Sequence, residues 1–291
     1  MGWQTSPDAV ETLRDTWAVL VDAQARLHDV RERDHRNYDG GDAGHQWDHG
    51  LVVRHAVNYA AGVAAARSVP GPGALVDVGA GAGGFSMWAA AALGRRLVMV
   101  DQDAGHRELA SRAFADIEVR GSLGGLDPAP VVMAMEVVEH VPRSEQAEFV
   151  RTLGAAVAPG GVLVMSTPDE SVYCGGWSGY PPHIATLDAT GLQELLTQQL
   201  PGWDVQVARI NGPEFALSTL GRYGVPVANR VWGAMDAHLP QVTHEISHRV
   251  SQLGKRRKAP TPPEPRDYRI DDAGTGRGTG LLARAERPHT T

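Results

Sequence analysis

The stretch LVDVGAGAGGF, residues 75–85, joins a short apolar run to the start of a helical pattern through a series of glycines. Asp77, Gly79, Gly81 and Gly83 occupy alternate positions at the point where the chain must turn. Glycines let the backbone turn tightly and let a ligand approach the main chain, where the amide groups of a helix start face it. The pattern predicts a strand–loop–helix unit that binds a ligand, although dinucleotide enzymes use a similar loop and a tight turn needs no ligand.

A carboxylate ends the next apolar run, LVMVD, at Asp101. In an open α/β sheet, a carboxylate at this strand end can accept hydrogen bonds from both hydroxyls of a ribose. The loop and Asp101 together predict a cofactor that carries adenosine. Two features favour S-adenosylmethionine over a nicotinamide: the loop reads Asp-x-Gly-x-Gly-x-Gly, and Asp77 is placed to orient the loop and the amino acid end of the cofactor.

Short apolar runs alternate with helical patterns from Leu75 onward, which predicts βαβ units. Seven strands are predicted, and the last is GLLARAE, residues 280–286. We therefore expect an α/β fold with a doubly wound, mostly parallel, seven-stranded sheet, preceded by N-terminal helices. The predicted divisions are an N-terminal helical lid, a cofactor-binding core in two segments, and a helical substrate-cap insertion with a Pro-rich linker: residues 1–70, 71–210 with 280–291, and 211–279.

The composition narrows the classes of function. A chain of 291 residues that is 42% hydrophobic suits one large globular domain with additions. The formal net charge of -7 argues against wide, nonspecific binding of nucleic acid. Cys174 is the only cysteine, no apolar run reaches the roughly 18 residues that span a bilayer, and no signal peptide pattern is present. We expect a cytoplasmic protein without membrane attachment, with a homodimer as a possible assembly.

With its glycine loop and Asp101, the chain resembles the class I S-adenosylmethionine-dependent methyltransferases over roughly residues 50–212 and the final strand. The resemblance implies that the glycine loop holds the methionine moiety, that Asp101 binds the ribose and that Gln102 lies against the adenine. Members of that family usually place a Gly-Asp pair after the third strand to meet the adenine amino group, whereas this chain has Ser122 in place of the aspartate. The Ser122 hydroxyl or the Leu123 backbone amide could substitute for it.

The stretch VVMAMEVVEHVP, residues 131–142, begins as a buried strand and ends in Glu136, Glu139 and His140. Positions i, i+3 and i+4 of a helical turn share a face, so these side chains should converge beside the strand ends where the cofactor is expected. Three interpretations are open. In the first, Glu136 anchors a loop, Glu139 is a capping or solvated group and His140 is a packed histidine. In the second, His140 is a general base for an acceptor hydroxyl. In the third, all three residues bind a divalent cation that lowers the pKa of the acceptor oxygen.

A second histidine bears on this choice. After STPDE the chain runs through SVYCGGWSGYPPHIATLDATGLQELL, which supplies His183 just before the next predicted helix. Glu-x-x-Glu-His, then Thr-Pro-Asp, then a histidine resembles the metal-dependent O-methyltransferases, both the ubiquinone-pathway type and the terminal 2′-O-methyltransferases of small RNAs. The resemblance implies that Glu136, Glu139, His140 and His183 hold Mg²⁺ or Mn²⁺, and that His140, Glu136 and His183 take part in catalysis.

We therefore expect an S-adenosylmethionine-dependent methyltransferase that acts on a hydroxyl oxygen of a small molecule. A 2′-O-methyltransferase of RNA ends and a noncatalytic S-adenosylmethionine-binding protein are the alternatives. Trp177, Tyr180 and Trp232 are candidate walls of the acceptor pocket, with core packing or surface exposure an equal expectation for each. His45, His49 and His55 are expected to be surface or packed residues, with a substrate lid as the less favoured interpretation. His238, His244 and His248 lie in the predicted insertion, where a second metal site is the less favoured interpretation.

Overall fold

The computed structural model describes residues 7–34, 49–212, 218–239, 241–243, 269–272 and 280–289. Two long helices precede the sheet, and strands then alternate with helices along the chain. The helices are α1 Pro7–Asp34, α2 His49–Ala66, α3 Gly84–Leu93, α4 Ala104–Ala113, α5 Gln146–Ala155, α6 Ala189–Gln199 and α7 Thr219–His238. The strands are β1 Ala74–Val78, β2 Arg96–Val100, β3 Glu118–Arg120, β4 Ala129–Met135, β5 Val157–Pro168, β6 Asp204–Asn211, β7 Arg269–Asp272 and β8 Gly280–Glu286.

These strands form one sheet in the order β3-β2-β1-β4-β5-β8-β6-β7. The first five strands pair in parallel, and β8 pairs antiparallel with both β5 and β6. The predicted seven-stranded, doubly wound, mostly parallel sheet is confirmed. β7 is an eighth strand that the sequence analysis assigned to the insertion; its four residues, RIDD, carry no clear apolar alternation and pair with β6 at the edge. The division of the chain into lid, core and insertion stays a prediction.

Both faces of the sheet are buried, and each face has its own hydrophobic cluster. Because side chains alternate along a strand, Leu75 and Met133 face the cluster that includes α1, α2 and α3. Val76 and Val132 face the opposite cluster, which includes α5 and α6. Polar side chains that serve a ligand are therefore expected at the strand ends, where the apolar layers stop.

The N-terminal helix α1 is an integral part of the first cluster. Trp17 packs edge-on against Trp88 of α3, with ring centroids 5.9 Å apart. The indole N–H of Trp88 donates to the Thr16 hydroxyl at 2.7 Å, which satisfies the polar atom of a fully buried side chain. These contacts fix α1 and α3 together beside the glycine loop.

Helix α7 packs on the loop that follows β5. The helix begins at the cap residue Ser218, whose hydroxyl accepts a hydrogen bond from the Gly221 amide at 3.0 Å. Asn229 donates from its side-chain amide to the Ser178 carbonyl at 3.0 Å. Gly179 lies so close to α7 that an added Cβ would be 2.6 Å from the Pro226 carbonyl oxygen. The helix thus supports the loop segment that leads to His183.

Candidate functional site

The strand order reverses between β1 and β4, because the chain runs from β1 outward to β2 and β3 and then returns. Ligands of open α/β sheets bind outside the carboxyl ends of the strands at such a reversal. The glycine loop follows β1, and the turn that contains Glu136, Glu139 and His140 follows β4. The two predicted motifs therefore lie side by side at the position where this fold binds ligands.

The glycine loop is in close contact with its surroundings. Gly79 and Gly83 have left-handed φ values of 72° and 87°. A Cβ on Gly79 would lie 2.4 Å from Val137 Cγ2, and one on Gly83 would lie 2.4 Å from Met99 Cε. Glycine is required at both positions, because another residue would strain the backbone and collide with a packed side chain.

Asp101 holds the glycine loop in place and carries the negative charge that the sequence predicted. Its two carboxylate oxygens accept hydrogen bonds from the amides of Gly81 and Asp103, each at 2.8 Å. Burial opposes ionisation of Asp101, but His106 and these two amides outweigh it, and the pKa lies below its usual value. A carboxylate oxygen has two lone pairs, so each can accept a further hydrogen bond from a ribose hydroxyl.

Asp77 lies beneath the loop and is fully buried. Its Oδ2 accepts hydrogen bonds from the hydroxyls of Tyr59 in α2, at 2.8 Å, and Ser86 in α3, at 2.6 Å. Burial raises the pKa of Asp77 to about 6, although the two hydroxyls lower it. Asp77 thus links β1 to both helices, while its predicted contact with the amino acid end of the cofactor stays a prediction.

The residues predicted to contact adenine lie after β2 and β3, at the same edge of the sheet. Gln102 and Ser122 are exposed, and Leu123 is partly buried. The Gln102 carbonyl accepts a hydrogen bond from the Arg107 guanidinium at 2.7 Å. This position leaves the Gln102 side chain open to a ligand, and the contacts of all three residues with adenine stay predictions.

Glu136 is the one non-glycine residue of the described chain with a left-handed backbone, at φ 57°. Its Oε1 accepts hydrogen bonds from the Asn58 amide at 3.0 Å and the Ser166 hydroxyl at 2.9 Å. Its Oε2 lies 3.8 Å from the Arg54 guanidinium. Such a conformation costs free energy and persists where the surroundings enforce it, as they do at many functional sites.

Glu139 is fully buried in the short turn Val138–His140. Its Oε2 accepts a hydrogen bond from the Thr167 hydroxyl at 2.9 Å, whereas Oε1 is buried without a hydrogen-bond partner in the described part of the chain. Burial, and then the charge of Glu136, raise the pKa of Glu139 well above its usual value. A buried carboxylate oxygen that lacks a donor is suited to a cation.

Backbone hydrogen bonds bring the loop of His183 to this turn. The Glu139 carbonyl accepts from the amides of Ile184 at 3.0 Å and Ala185 at 3.1 Å. The buried Gln146 amide donates to the carbonyls of Val138 and Ala185, at 2.9 and 2.7 Å. The sequence analysis missed Gln146, because a glutamine in the first turn of a helix has no distinctive pattern.

The two imidazole rings lie 5.1 Å apart between centroids. His140 Nδ1 is 2.9 Å from the Pro182 carbonyl oxygen, and His140 Nε2 is 3.9 Å from Glu139 Oε1. Burial lowers the pKa of His140 despite the Pro182 carbonyl, so its neutral form is favoured. A ligand atom from each of Glu139, His140 and His183 lies within 4.8 Å of the other two. These three residues have donors that fit a divalent cation, and Glu136 lies outside their group.

Glu170 is the second residue that the sequence analysis missed. It is buried after β5, and it accepts hydrogen bonds from the amide and the hydroxyl of Ser178, at 2.8 and 2.6 Å, besides contacting His183 Nδ1 at 2.5 Å. Burial opposes ionisation of Glu170, but His183 and Ser178 outweigh it, and its pKa lies below the usual value. Its position in STPDE, beside a strand end, was the available signal.

The aromatic residues proposed as pocket walls differ in position. The Trp177 indole N–H donates to the His183 carbonyl at 3.0 Å, and the Tyr180 ring lies edge-on to His183, with centroids 4.9 Å apart. Trp232 is on α7 and is 41% exposed. Of the other histidines, His55 packs near Phe85, with ring centroids 5.5 Å apart. His238 ends α7 and His49 begins α2, whereas His45, His244 and His248 lie outside the described residues.

A family model described as a methyltransferase domain matches residues 52–222, which is more than half of the chain. The chain belongs to this methyltransferase family. The matched region contains the glycine loop, Asp101 and the turn with Glu139. The protein is thus a methyltransferase, in agreement with the family that the glycine loop and Asp101 resemble.

Several solved structures are similar to this chain at low sequence identity. A chain from the complex of the Haloferax volcanii Trm112 methyltransferase activator with a candidate methyltransferase is 13% identical, with a TM-score of 0.51 and coverage of 92% of this chain and 98% of that one. An S-adenosylmethionine-dependent methyltransferase from Thermotoga maritima is 14% identical, with a TM-score of 0.46 and coverage of 81% and 91%. Haemonchus contortus phosphoethanolamine N-methyltransferase 2, in complex with S-adenosylmethionine, is 14% identical, with a TM-score of 0.46 and coverage of 84% and 53%.

No curated protein matches the sequence. Among the described residues, no helix of this methyltransferase has the length and apolar character needed to cross a membrane.

Replacing Asp101 by Asn should weaken S-adenosylmethionine binding by about 1.5–3 kcal/mol, the typical contribution of a hydrogen bond to a charged group. The fold should persist, because the amide oxygen can keep one backbone hydrogen bond. Calorimetric titration measures the affinity, with Asp116→Asn as a control at an exposed aspartate. Wild-type affinity in Asp101→Asn would contradict the placement of the ribose.

Asp77 should make stability depend on pH. The folded protein binds this proton more tightly than the unfolded chain, so stability is full below the usual pKa of 3.8 and is lost as pH rises through about 6. The difference corresponds to roughly 3 kcal/mol. Asp77→Asn keeps an acceptor for Tyr59 and Ser86 and cannot ionise. Its free energy of unfolding, relative to that of the wild type, should therefore rise by that amount when the pH is raised from about 4 to about 8. Urea unfolding at both pH values measures this gain. The same pH dependence in both proteins would show that folding does not raise the pKa of Asp77.

Proposed function

We propose that the protein transfers the methyl group of S-adenosylmethionine to a hydroxyl oxygen of a small molecule, with a divalent cation held by Glu139, His140 and His183. One observation carries the proposal: a carboxylate oxygen and two imidazole nitrogens lie within 4.8 Å of one another at the carboxyl edge of the sheet. The buried Glu139 Oε1, which has no hydrogen-bond partner in the described chain, supports it.

A bound cation would lower the pKa of an acceptor hydroxyl and so favour its attack on the sulfonium methyl. Mixed carboxylate and imidazole ligands suit Mn²⁺ or a later transition metal better than Mg²⁺. The protein's own contribution is orientation, since methyl transfer requires the nucleophile in line with the methyl group. The Asp101 end of the site would hold the adenosine, and the histidines would face the acceptor.

The predicted fourth ligand, Glu136, has one oxygen bonded to Asn58 and Ser166 and the other near Arg54. That arrangement favours a role in holding the β4 turn against α2. Direct binding of the cation would require Oε2 to turn from Arg54, so the ligand and catalytic roles of Glu136 stay predictions.

The acidic net charge of -7 favours a small-molecule acceptor over nucleic acid. Methylation of RNA ends would use the same group of Glu139, His140 and His183, and salt-sensitive binding of a short RNA duplex would support it. The intact glycine loop and Asp101 favour an active enzyme over a noncatalytic binding protein.

The cation can be tested separately from the acceptor. Mn²⁺ should bind the wild-type protein in a calorimetric titration. Glu139→Gln should weaken that binding by roughly tenfold or more, because losing a residue that only hydrogen-bonds to a metal ligand already lowers metal affinity by about tenfold. Glu145→Gln is the control, because Glu145 is an exposed glutamate close to Glu139 in the sequence. Chelator should leave S-adenosylmethionine binding intact. Equal Mn²⁺ binding by wild type and Glu139→Gln would remove the cation from the proposal.

Methyl transfer from labelled S-adenosylmethionine should then be measured on a panel of phenols, catechols and alcohols, with the matching amines as comparators. We expect methyl transfer to a hydroxyl compound. This transfer should stop in excess chelator and return when Mn²⁺ is added. Full turnover in chelator, abolished by His140→Ala and retained by Glu139→Gln, would instead identify His140 as a general base. Transfer to the amines alone would contradict oxygen as the acceptor atom.

A further inference from the structure

We propose that Glu170 is a positioning residue: it holds His183 with a proton on Nδ1 and thereby directs Nε2 toward Glu139 and His140. The inference rests on the proposed function for the purpose of this orientation, but the orientation itself can be measured without a metal or an acceptor. It concerns a residue that lies behind the group of three and donates no atom to it.

The contact between Glu170 and His183 is short and buried. Glu170 is 1% exposed, and its Oε1 lies 2.5 Å from His183 Nδ1. Ser178 contributes two donors to the same carboxylate, its hydroxyl to Oε1 at 2.6 Å and its amide to Oε2 at 2.8 Å. Ser178 therefore holds both oxygens of the Glu170 carboxylate without any contribution from His183.

The direction of the hydrogen bond follows from these partners. The Ser178 amide can only donate, and the Ser178 hydroxyl accepts from the Tyr180 amide at 3.2 Å, which leaves its own proton for Glu170. These two donors favour the ionised form of the carboxyl group. An ionised carboxylate can only accept, so His183 Nδ1 must carry the proton. In a neutral ring, Nε2 then has the free lone pair that a metal ion or an acceptor proton requires.

His140 reaches the same protonation pattern through a different partner. Its Nδ1 is 2.9 Å from the Pro182 carbonyl, which has no proton to donate. Each ring therefore has an acceptor at Nδ1, which leaves Nε2 as the nitrogen for a ligand, and Nε2 of His140 lies 3.9 Å from Glu139 Oε1. Partners of this kind behind a histidine ligand fix its tautomer and ring orientation. Glu170 supplies this function for His183, and the backbone supplies it for His140.

Replacement by glutamine gives a specific test, because an amide has one acceptor oxygen where the carboxylate has two. The fixed Ser178 amide needs an acceptor, so the oxygen of Glu170→Gln should face Ser178 and its NH₂ group should face His183. His183 Nδ1 would then have to accept, which moves the ring proton to Nε2. Glu170→Asp keeps two acceptor oxygens and the charge, so it should restore the original tautomer in part.

The experiment is nitrogen NMR of the full-length protein labelled with ¹⁵N-histidine, with the His183 signal assigned by its loss in His183→Asn. We expect Nδ1–H in the wild type, Nε2–H in Glu170→Gln and Nδ1–H as the larger population in Glu170→Asp. Glu194→Gln, an exposed residue of α6, is the matched control and should leave the signal unchanged. Circular dichroism and thermal unfolding establish that each variant is folded.

A second measurement links the tautomer to the cation. Mn²⁺ affinity should fall by about 10–100-fold in Glu170→Gln and recover at least partly in Glu170→Asp. If wild-type protein does not bind Mn²⁺ but the tautomer changes as expected, the proposed cation is wrong and Glu170 still positions His183. An unchanged Nδ1–H tautomer in folded Glu170→Gln, or Nε2–H in the wild type, would overturn the inference.

Discussion

The parallel pairing of β1 with β4 is the constraint on which the rest of the site depends. Leu75 pairs with Val131 and Asp77 with Met133, so both strands end at the same level although 50 residues and two other strands separate them. The loops that follow are consequently pressed together, and Val137 occupies the space that a side chain at Gly79 would need. The glycine loop and the turn with Glu139 are therefore in direct contact.

Buried carboxylates form the layer beneath this edge of the sheet. Asp77, Glu139 and Glu170 are each bonded to a hydroxyl from a neighbouring element, and a buried carboxylate without such a partner would be strongly destabilising. The same burial that raises the pKa of Asp77 and Glu139 also fixes their positions, because each has few alternative partners. The layer therefore contributes more to the geometry of the site than to stability.

The histidine loop shows how the site is assembled from distant parts of the chain. Its backbone is bound to the Glu139 carbonyl, its Trp177 is bound to the carbonyl of His183, and α7 packs on its outer side through Asn229. Gln146 connects the loop to the turn from a third direction. His183 lies in a loop and belongs to no strand or helix. It reaches His140 because several hydrogen bonds hold this loop in place.

The amino-acid sequence by itself determined the fold and predicted the cofactor class. Apolar runs of strand length that alternate with helical patterns permit few architectures, and the glycines around Asp77 with Asp101 after the next strand have a direct chemical interpretation. These are local signals, since each depends on residues adjacent in the chain. The eighth strand was missed for the same reason: β7 has four residues, and its pairing with β6 stabilises it more than its own composition does.

Only the tertiary structure decided which side chains meet and which atoms they present. The sequence placed Glu136, Glu139, His140 and His183 in one group, whereas the fold directs Glu136 to Asn58 and Ser166 and groups the other three. Glu170 and Gln146 acquired their roles through contacts with residues 8 to 39 positions away. Hydrogen-bond partners at such distances depend on register, burial and loop packing, and none of these is written in the spacing of a motif.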